Sequence, residues 1–283
     1  MAIRTVDAAE ISAAIEQMCV NANCRLPEAN LRRLEDAITE EKSPLGRSIL
    51  GRLLQNHRLA GEQMVPACQD TGLAVVFAEV GQDVHISGGS FESAVDEGVR
   101  RGYALGYLRK SSVFDPLFDR RNTGDNTPAV MHIRIVPGDK VRLTLAPKGG
   151  GAENMSAVRM LTPSDGVEGV ISFAAETVSK AGPNACPPVV VGIGIGGTFD
   201  MVTVLAKSAL LRPMGERNSD PRYAELEERI LARVNELGIG PQGFGGSITA
   251  LAVHIEARAC HIASLPVAVN LNCHVSPHET RVI

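Results

Sequence analysis

The chain has no run of basic residues, no CxxC pair and no long uninterrupted apolar stretch. Each absence removes a class of function. Binding to a phosphate backbone needs a cationic face, and a net charge of −4 without a basic cluster argues against nucleic acid as a partner. Without CxxC, a zinc ribbon or a redox disulfide loses its usual signature. No window approaches the roughly 18 consecutive apolar residues of a membrane span, so no membrane partner is expected. The opening "MAIRTVDAAEISAAIEQMCV" is polar and helix-like, with no apolar core of the signal-peptide type. A cytoplasmic, reducing location is therefore expected. There the six cysteines read as thiols or metal ligands rather than three disulfides. Linkers, repeats and low-complexity segments are also missing, so the expectation is one domain over residues 1–283.

What is present can build a large core: 44% of the residues are hydrophobic and 21% charged. Helical spacing dominates the first hundred residues. Ile11, Ile15 and Met18 share one face, Leu31, Leu34 and Ile38 another, and "PLGRSILGRLLQN" forms a third candidate helix. "LAVVFAEV" reads as a short buried strand, which puts Cys68, Gln69, Asp70 and Thr71 in the loop entering it. In "SFESAVDEGVRRGYALGYLRK", Ser90 is a plausible N-cap, and Phe91, Val95, Val99 and Tyr103 form a stripe. At about 3.6 residues per turn, Arg109 falls five full turns beyond Phe91. It is either an inward guanidinium in need of an anion, or a solvated residue past the helix end.

"VMHIRIVPGDKVRLTLAPKGGG" alternates on both sides of a Pro-Gly turn and predicts an antiparallel hairpin that empties into Gly149, Gly150 and Gly151. Two further amphipathic helices are signalled. One runs from Ser164 towards Gly182 with Val167, Ile171, Ala174 and Val178 inward. The other runs from Asp220-Pro221 to Gly238 with Tyr223, Leu226, Ile230, Val234 and Leu237 inward, and with Glu225 and Arg229 placed for an i,i+4 pair. "ITALAVHIE" and "LPVAVNLNCH" read as buried strands, with Cys273 on the apolar parity of the second. The fold class expected is mixed α/β (α+β), with helices packed on mixed and antiparallel sheets, and not Rossmann.

Three clusters invite chemistry. Gly192, Gly194 and Gly197 satisfy G-x-G-x-x-G, the fingerprint of a nicotinamide-binding oxidoreductase. The following helix leads to a loop and another helix, where a second parallel strand is needed, so close backbone packing, or a supply of amide donors at a helix start, explains these glycines better. "KGGGAEN" lacks Walker spacing, but three glycines at a strand end can present N–H groups as an anion nest. Cys68, Cys186 and Cys273 each sit at an element junction. Spacing cannot show that they meet, and isolated buried cysteines are more often filler. Cys19 and Cys24 read as structural. Cys260, beside His261, rivals Cys273 as a ligand, while His261 reads most simply as a satisfied interior histidine.

Taken together, "PACQDTG", "KGGGAEN", "NACPPVVVGIGIGGT", "LGIGPQGFGG" and "HIASLPVAVNLNCH" resemble the alpha subunit of iron–sulfur-dependent (class I) fumarate hydratases and their tartrate dehydratase relatives. The "KGGGAEN" form looks like the fumarate branch. The resemblance implies a 4Fe–4S cluster held by Cys68, Cys186 and Cys273, with one iron left open as a Lewis acid, and it removes Cys260 from the ligand set. It implies a C4-dicarboxylate substrate met by Gln69, Asp70, Arg109, Gly150, Gly151 and His261, with Asp70, Gln69 and His261 nearest the chemistry. Asp70 would bind the hydroxyl or assist its proton transfer. Single-chain relatives carry a second domain that supplies more of the cleft. That domain is expected here on a separate beta subunit, with a homodimer of this chain inside an α2β2 assembly. The implied reaction is reversible hydration of fumarate to (S)-malate. Its alternatives are tartrate dehydration to oxaloacetate and a catalytically silent iron–sulfur scaffold.

Overall fold

Asp7 starts the first helix by accepting the Ala9 N–H at 2.8 Å, which satisfies one of the donors a helix start leaves unpaired. The computed structural model describes residues 3–283. In chain order the elements are β1 (Arg4–Asp7), α1 (Ala8–Cys24), α2 (Glu28–Glu40), α3 (Pro44–Gln63), β2 (Leu73–Gly81), β3 (Val84–Ser87), α4 (Phe91–Leu105), β4 (Val130–Val136) and β5 (Val141–Lys148). The short α5 (Gly150–Glu153) follows, then β6 (Ala157–Leu161), α6 (Gly166–Ala181), β7 (Val189–Gly196), α7 (Phe199–Ala209), α8 (Pro221–Asn235), β8 (Ala250–Arg258), β9 (Leu265–Asn272) and β10 (Glu279–Val282). No helix among the described residues is long and apolar enough to cross a membrane.

The chain packs as two compact units, each assembled from separated stretches. One comprises residues 1–26, 57–150 and 277–283; the other comprises 27–56 and 151–276. This interleaving explains why no linker is visible in the sequence.

In the first unit a four-stranded sheet runs β10-β5-β2-β4, and β1 pairs with β3 in a small parallel sheet. Its core joins Ile11, Ile15 and Met18 of α1 to Val95, Val99 and Tyr103 of α4 and to Leu143 and Leu145 of β5, all fully buried. The expected β4–β5 hairpin is not formed. β2 lies between the two strands, parallel to β4 (Val75↔Val130) and antiparallel to β5 (Leu73↔Lys148). The apolar run of β2, buried from Ala74 to Val76, competes better for the central place than β4, whose Ile133 and Ile135 remain exposed at the edge. Arg4 and Ile283 are both fastened here. Ile283 and Val141 exchange backbone hydrogen bonds of 3.0 and 2.8 Å, and Arg4 Nη1 donates to the Ile283 carbonyl at 3.0 Å.

In the second unit the sheet order is β6-β9-β7-β8, with β7 antiparallel to β9 and parallel to β8. Every residue of β7 is buried, and helices α6, α7 and α8 cover the sheet. Gly192 and Gly194 lie inside the strand, where an added Cβ would come 2.2 Å from the carbonyls of Ala206 and Val202 respectively. Two strand residues advance about 6.6 Å and four helix residues about 6 Å, so the glycine spacing matches the α7 backbone lying against it. These glycines serve packing, and the parallel partner β8 arrives only after α8. On α6, Val167 proves exposed while Val170 and Phe173 turn inward beside Ile171, Ala174 and Val178. Arg229 pairs with Glu168 rather than Glu225, because α6 and α8 pack side by side.

Candidate functional site

Asp70 organises the loop that begins with Cys68. Its Oδ1 accepts the Gly72 N–H at 3.1 Å, and its Oδ2 accepts the Gly150 N–H at 2.9 Å. The Cys68 sulfur accepts the Asp70 N–H at 3.4 Å. This meeting follows from register: Leu73 opens β2 opposite Lys148, the last residue of β5, so "PACQDTG" and "KGGG" leave the same sheet end. Gly72 is required there. Its φ is +68°, and a Cβ would lie 2.4 Å from the Lys148 carbonyl carbon.

α4 supports the loop from beneath. The Tyr103 hydroxyl is buried and donates to the carbonyls of Thr71 and Gly72, each at 3.0 Å. Burial pushes its pKa well up, so it stays a donor at neutral pH. Asn126 Nδ2 donates to the Gly72 carbonyl at 3.1 Å, while its Oδ1 accepts the N–H groups of Ser111 and Ser112. Thr71 Oγ1 donates to the Arg109 carbonyl at 3.1 Å. The segment carrying Arg109 is thus tied to the Cys68 loop by its backbone. Arg109 itself is not on the α4 stripe. The helix ends at Leu105, Tyr107 takes φ +51°, and Leu108 becomes the buried residue while Arg109 is exposed. Among the described residues its guanidinium has no side-chain partner, and the amide of exposed Gln69 likewise has none.

In the second unit, Cys186 precedes β7 and Cys273 follows β9. The antiparallel pair is registered Val190↔Asn272, so both thiols emerge at one end of one sheet. Cys273 lies just beyond the strand and is half-buried; β9 is buried on both faces, so its apolar parity carries no information. Cys186 is exposed, in the left-handed conformation (φ +51°), at the end of a short 3-10 turn. Gln242, from "LGIGPQGFGG", holds that turn. Its backbone N–H and its Nε2 both donate to the Pro187 carbonyl at 2.7 Å. Glu41 fixes the far end of the same glycine loop, accepting the N–H groups of Ser247 at 2.9 Å and Ile248 at 2.8 Å. Burial pushes the Glu41 pKa up, but these donors and the Ser43 N–H hold it below its ordinary value. Gly151 belongs to this assembly too: its Cα faces the Asn184 carbonyl closely enough that a Cβ would lie 3.1 Å from it.

His261 is placed elsewhere. It sits in the turn before β9, the end opposite Cys273, across a strand of eight residues and roughly 25 Å at about 3.3 Å per residue. It is exposed, and its Nδ1 accepts the Ala263 N–H at 3.1 Å, so it is neither an interior histidine nor a neighbour of Cys273 in the same chain. Cys260 shares that turn, which separates it from Cys273 as well.

The thiols divide by environment. Cys19 and Cys24 are buried, and burial raises both pKa values, which keeps them protonated and inert. Cys68, Cys186 and Cys273 stand on turns at sheet ends as half-buried or exposed residues, an environment compatible with a thiolate-ligated inorganic cluster. No group of three or more His, Cys, Asp or Glu side chains among the described residues is arranged to hold a single metal ion. Sequence reasoning missed Tyr103, Asn126, Gln242 and Glu41 as supports. The recurrence of glycine around a single proline in "LGIGPQGFGG" was the available signal for a built loop, though not for its partner.

Comparison with known proteins matches residues 12–282 to the family described as fumarate hydratase (Fumerase). A putative L(+)-tartrate dehydratase subunit alpha of Methanocaldococcus jannaschii is 41% identical over 269 residues, covering 93% of this chain and 94% of that one. The L(+)-tartrate dehydratase subunit alpha of Escherichia coli K12 is 36% identical over 261 residues, covering 92% and 86%.

Proposed function

The chain belongs to the fumarate hydratase (Fumerase) family, and from that premise we propose that residues 1–283 form the alpha-type part of a hydro-lyase for C4 dicarboxylates. The rest of the active site is carried by a separate beta-type subunit, in keeping with the "subunit alpha" of both relatives' names. The observation that carries the reading is the delivery of Cys186, Cys273 and Gly151 to one sheet end, together with the Asp70-centred loop of Cys68.

Cys68, Cys186 and Cys273 are the proposed ligands of a 4Fe–4S cluster. When bound, such a cluster supplies one iron without a protein ligand, a Lewis acid for a substrate carboxylate and hydroxyl. The protein's own groups do the rest. The unpartnered Arg109 guanidinium clamps a carboxylate, and the Gln69 amide donates to it. The Asp70 carboxylate, held by two N–H groups, is aimed to accept a proton or hold the hydroxyl. With the Gly150 N–H committed to Asp70, Gly151 is the glycine better placed to donate to substrate. His261 would reach substrate only from a position other than the one beside its own Cys273.

Fumarate hydration to (S)-malate is the leading reaction. The names of both relatives favour a second, dehydration of L(+)-tartrate to oxaloacetate. Co-expression with its beta-type partner, anaerobic loading with iron and sulfide, and parallel assays on fumarate and L(+)-tartrate test the reading. Turnover of one of them is expected, with iron and the thiolate–iron absorbance lost in Cys273→Ser. Full iron retention in that variant, or turnover of neither acid, would overturn it.

A further inference from the structure

Glu153 closes the "KGGGAE" run, and its carboxylate is spoken for on both sides. Oε1 takes a charge-assisted hydrogen bond from Lys207 Nζ on α7, and Oε2 accepts Asn270 Nδ2 on β9 at 2.9 Å. The Lys207 side chain is 17% exposed and that of Glu153 39%, so the geometry is held by directional contacts on both carboxylate oxygens rather than by burial of the pair. Asn270 Nδ2 also donates to Ser156 Oγ at 3.1 Å. That hydroxyl in turn accepts the Leu271 N–H at 3.1 Å and donates to the Ala152 carbonyl at 3.3 Å. Residues 152–156 are therefore stitched, through three polar contacts, to the stretch of β9 that ends one residue before Cys273. Glu153 is not among the residues proposed to meet the substrate.

We propose that Glu153 is a positioning residue, whose clamp between Lys207 and Asn270 sets where the Gly151–Ala152 backbone lies relative to the Cys273 end of β9. The inference rests on the reading of Gly151 as a donor to a substrate carboxylate. A donor displaced by a fraction of an ångström binds both ground state and transition state less well, so the loss appears mainly in KM. The clamp is electrostatic and directional. A neutral amide at position 153 can offer its oxygen to Lys207 or to Asn270, but its NH2 then opposes the other, since both neighbours are donors.

This gives a charge-balanced test. In the assembly of this chain with its partner, Glu153→Gln is expected to raise KM about tenfold with kcat changed less than about threefold. Hydrogen exchange in a peptide spanning residues 149–156 should quicken at the same time, with exchange in α1 and α4 unchanged. Adding Lys207→Met removes the opposing ammonium and should bring both KM and exchange to within about threefold of the parent. An unchanged KM and unchanged exchange in Glu153→Gln, or a double variant no better than the single one, overturns the proposal. An assembly that turns over neither fumarate nor tartrate would instead defeat the functional reading, and the exchange measurements would still decide whether Glu153 holds the backbone.

Discussion

A carboxylate that accepts two backbone N–H groups has its orientation settled before any ligand arrives. Asp70 is in that state, and replacing it by asparagine tests orientation and chemistry together. In Asp70→Asn one of the two N–H donors faces an NH2 group, and the proton acceptor is gone. The expected result is a fall in kcat of about 10²–10⁴-fold with iron content retained, measured by steady-state assay and iron analysis. Retained kcat would remove Asp70 from the chemistry. Individual residues also show where the sequence could and could not be read. The site loop was legible because a thiol, an amide, a carboxylate and a glycine rarely fall together without a task. Arg109 was legible as a candidate, but its exposed position was not, because helical phase lapses at Gly106 and Tyr107, where the backbone leaves the helix. His261 stands twelve residues before Cys273 (273 − 261), and only the extended geometry of β9 shows that the two are far apart.

Among the elements, periodicity identified α1, α2, α3, α4, α6 and α8 and the strands β2, β4, β5, β8 and β9, because each keeps an apolar pattern over several turns or pleats, while β7 and α7 were marked by the glycine cluster between them. Strand pairing was less accessible. Alternation on both sides of a tight turn predicts a hairpin whenever no third strand is considered, and here β2 takes the place between. The short strands β1, β3 and β10 have four residues each and too little pattern to find. Loops fixed by a single buried charge were equally hidden. Glu41 is 1% exposed, and its carboxylate stands in for a whole turn of backbone partners at residues 247 and 248. Glu41→Gln leaves a donor where those N–H groups need an acceptor. It should cost about 1–3 kcal/mol of unfolding free energy in urea titration, and a loss below about 0.5 kcal/mol would contradict the role assigned to it.

At the scale of the whole molecule, stability should depend on pH through His57, which is 3% exposed. Burial lowers its pKa from 6.5 to about 4, since the imidazolium loses hydration inside. Between those values the unfolded chain binds the extra proton. The contribution is therefore complete above pH 6.5 and is lost as pH falls towards 4, a change on the order of 3 kcal/mol. Urea midpoints measured at pH 7 and pH 4.5 should differ by less in His57→Gln than in the parent, and an equal drop in both would place the acid sensitivity elsewhere. The interleaved units have another result at this scale. Since 277–283 returns to the unit that holds 1–26, removing the final segment takes β10 from the edge of a sheet rather than trimming a tail.

With Arg4 bonded to the carbonyl of Ile283, two positions 279 residues apart in sequence are held side by side within the first unit. Energy transfer between dyes placed near them would stay high while that unit is folded and fall when it opens, a signal blind to events confined to the second unit.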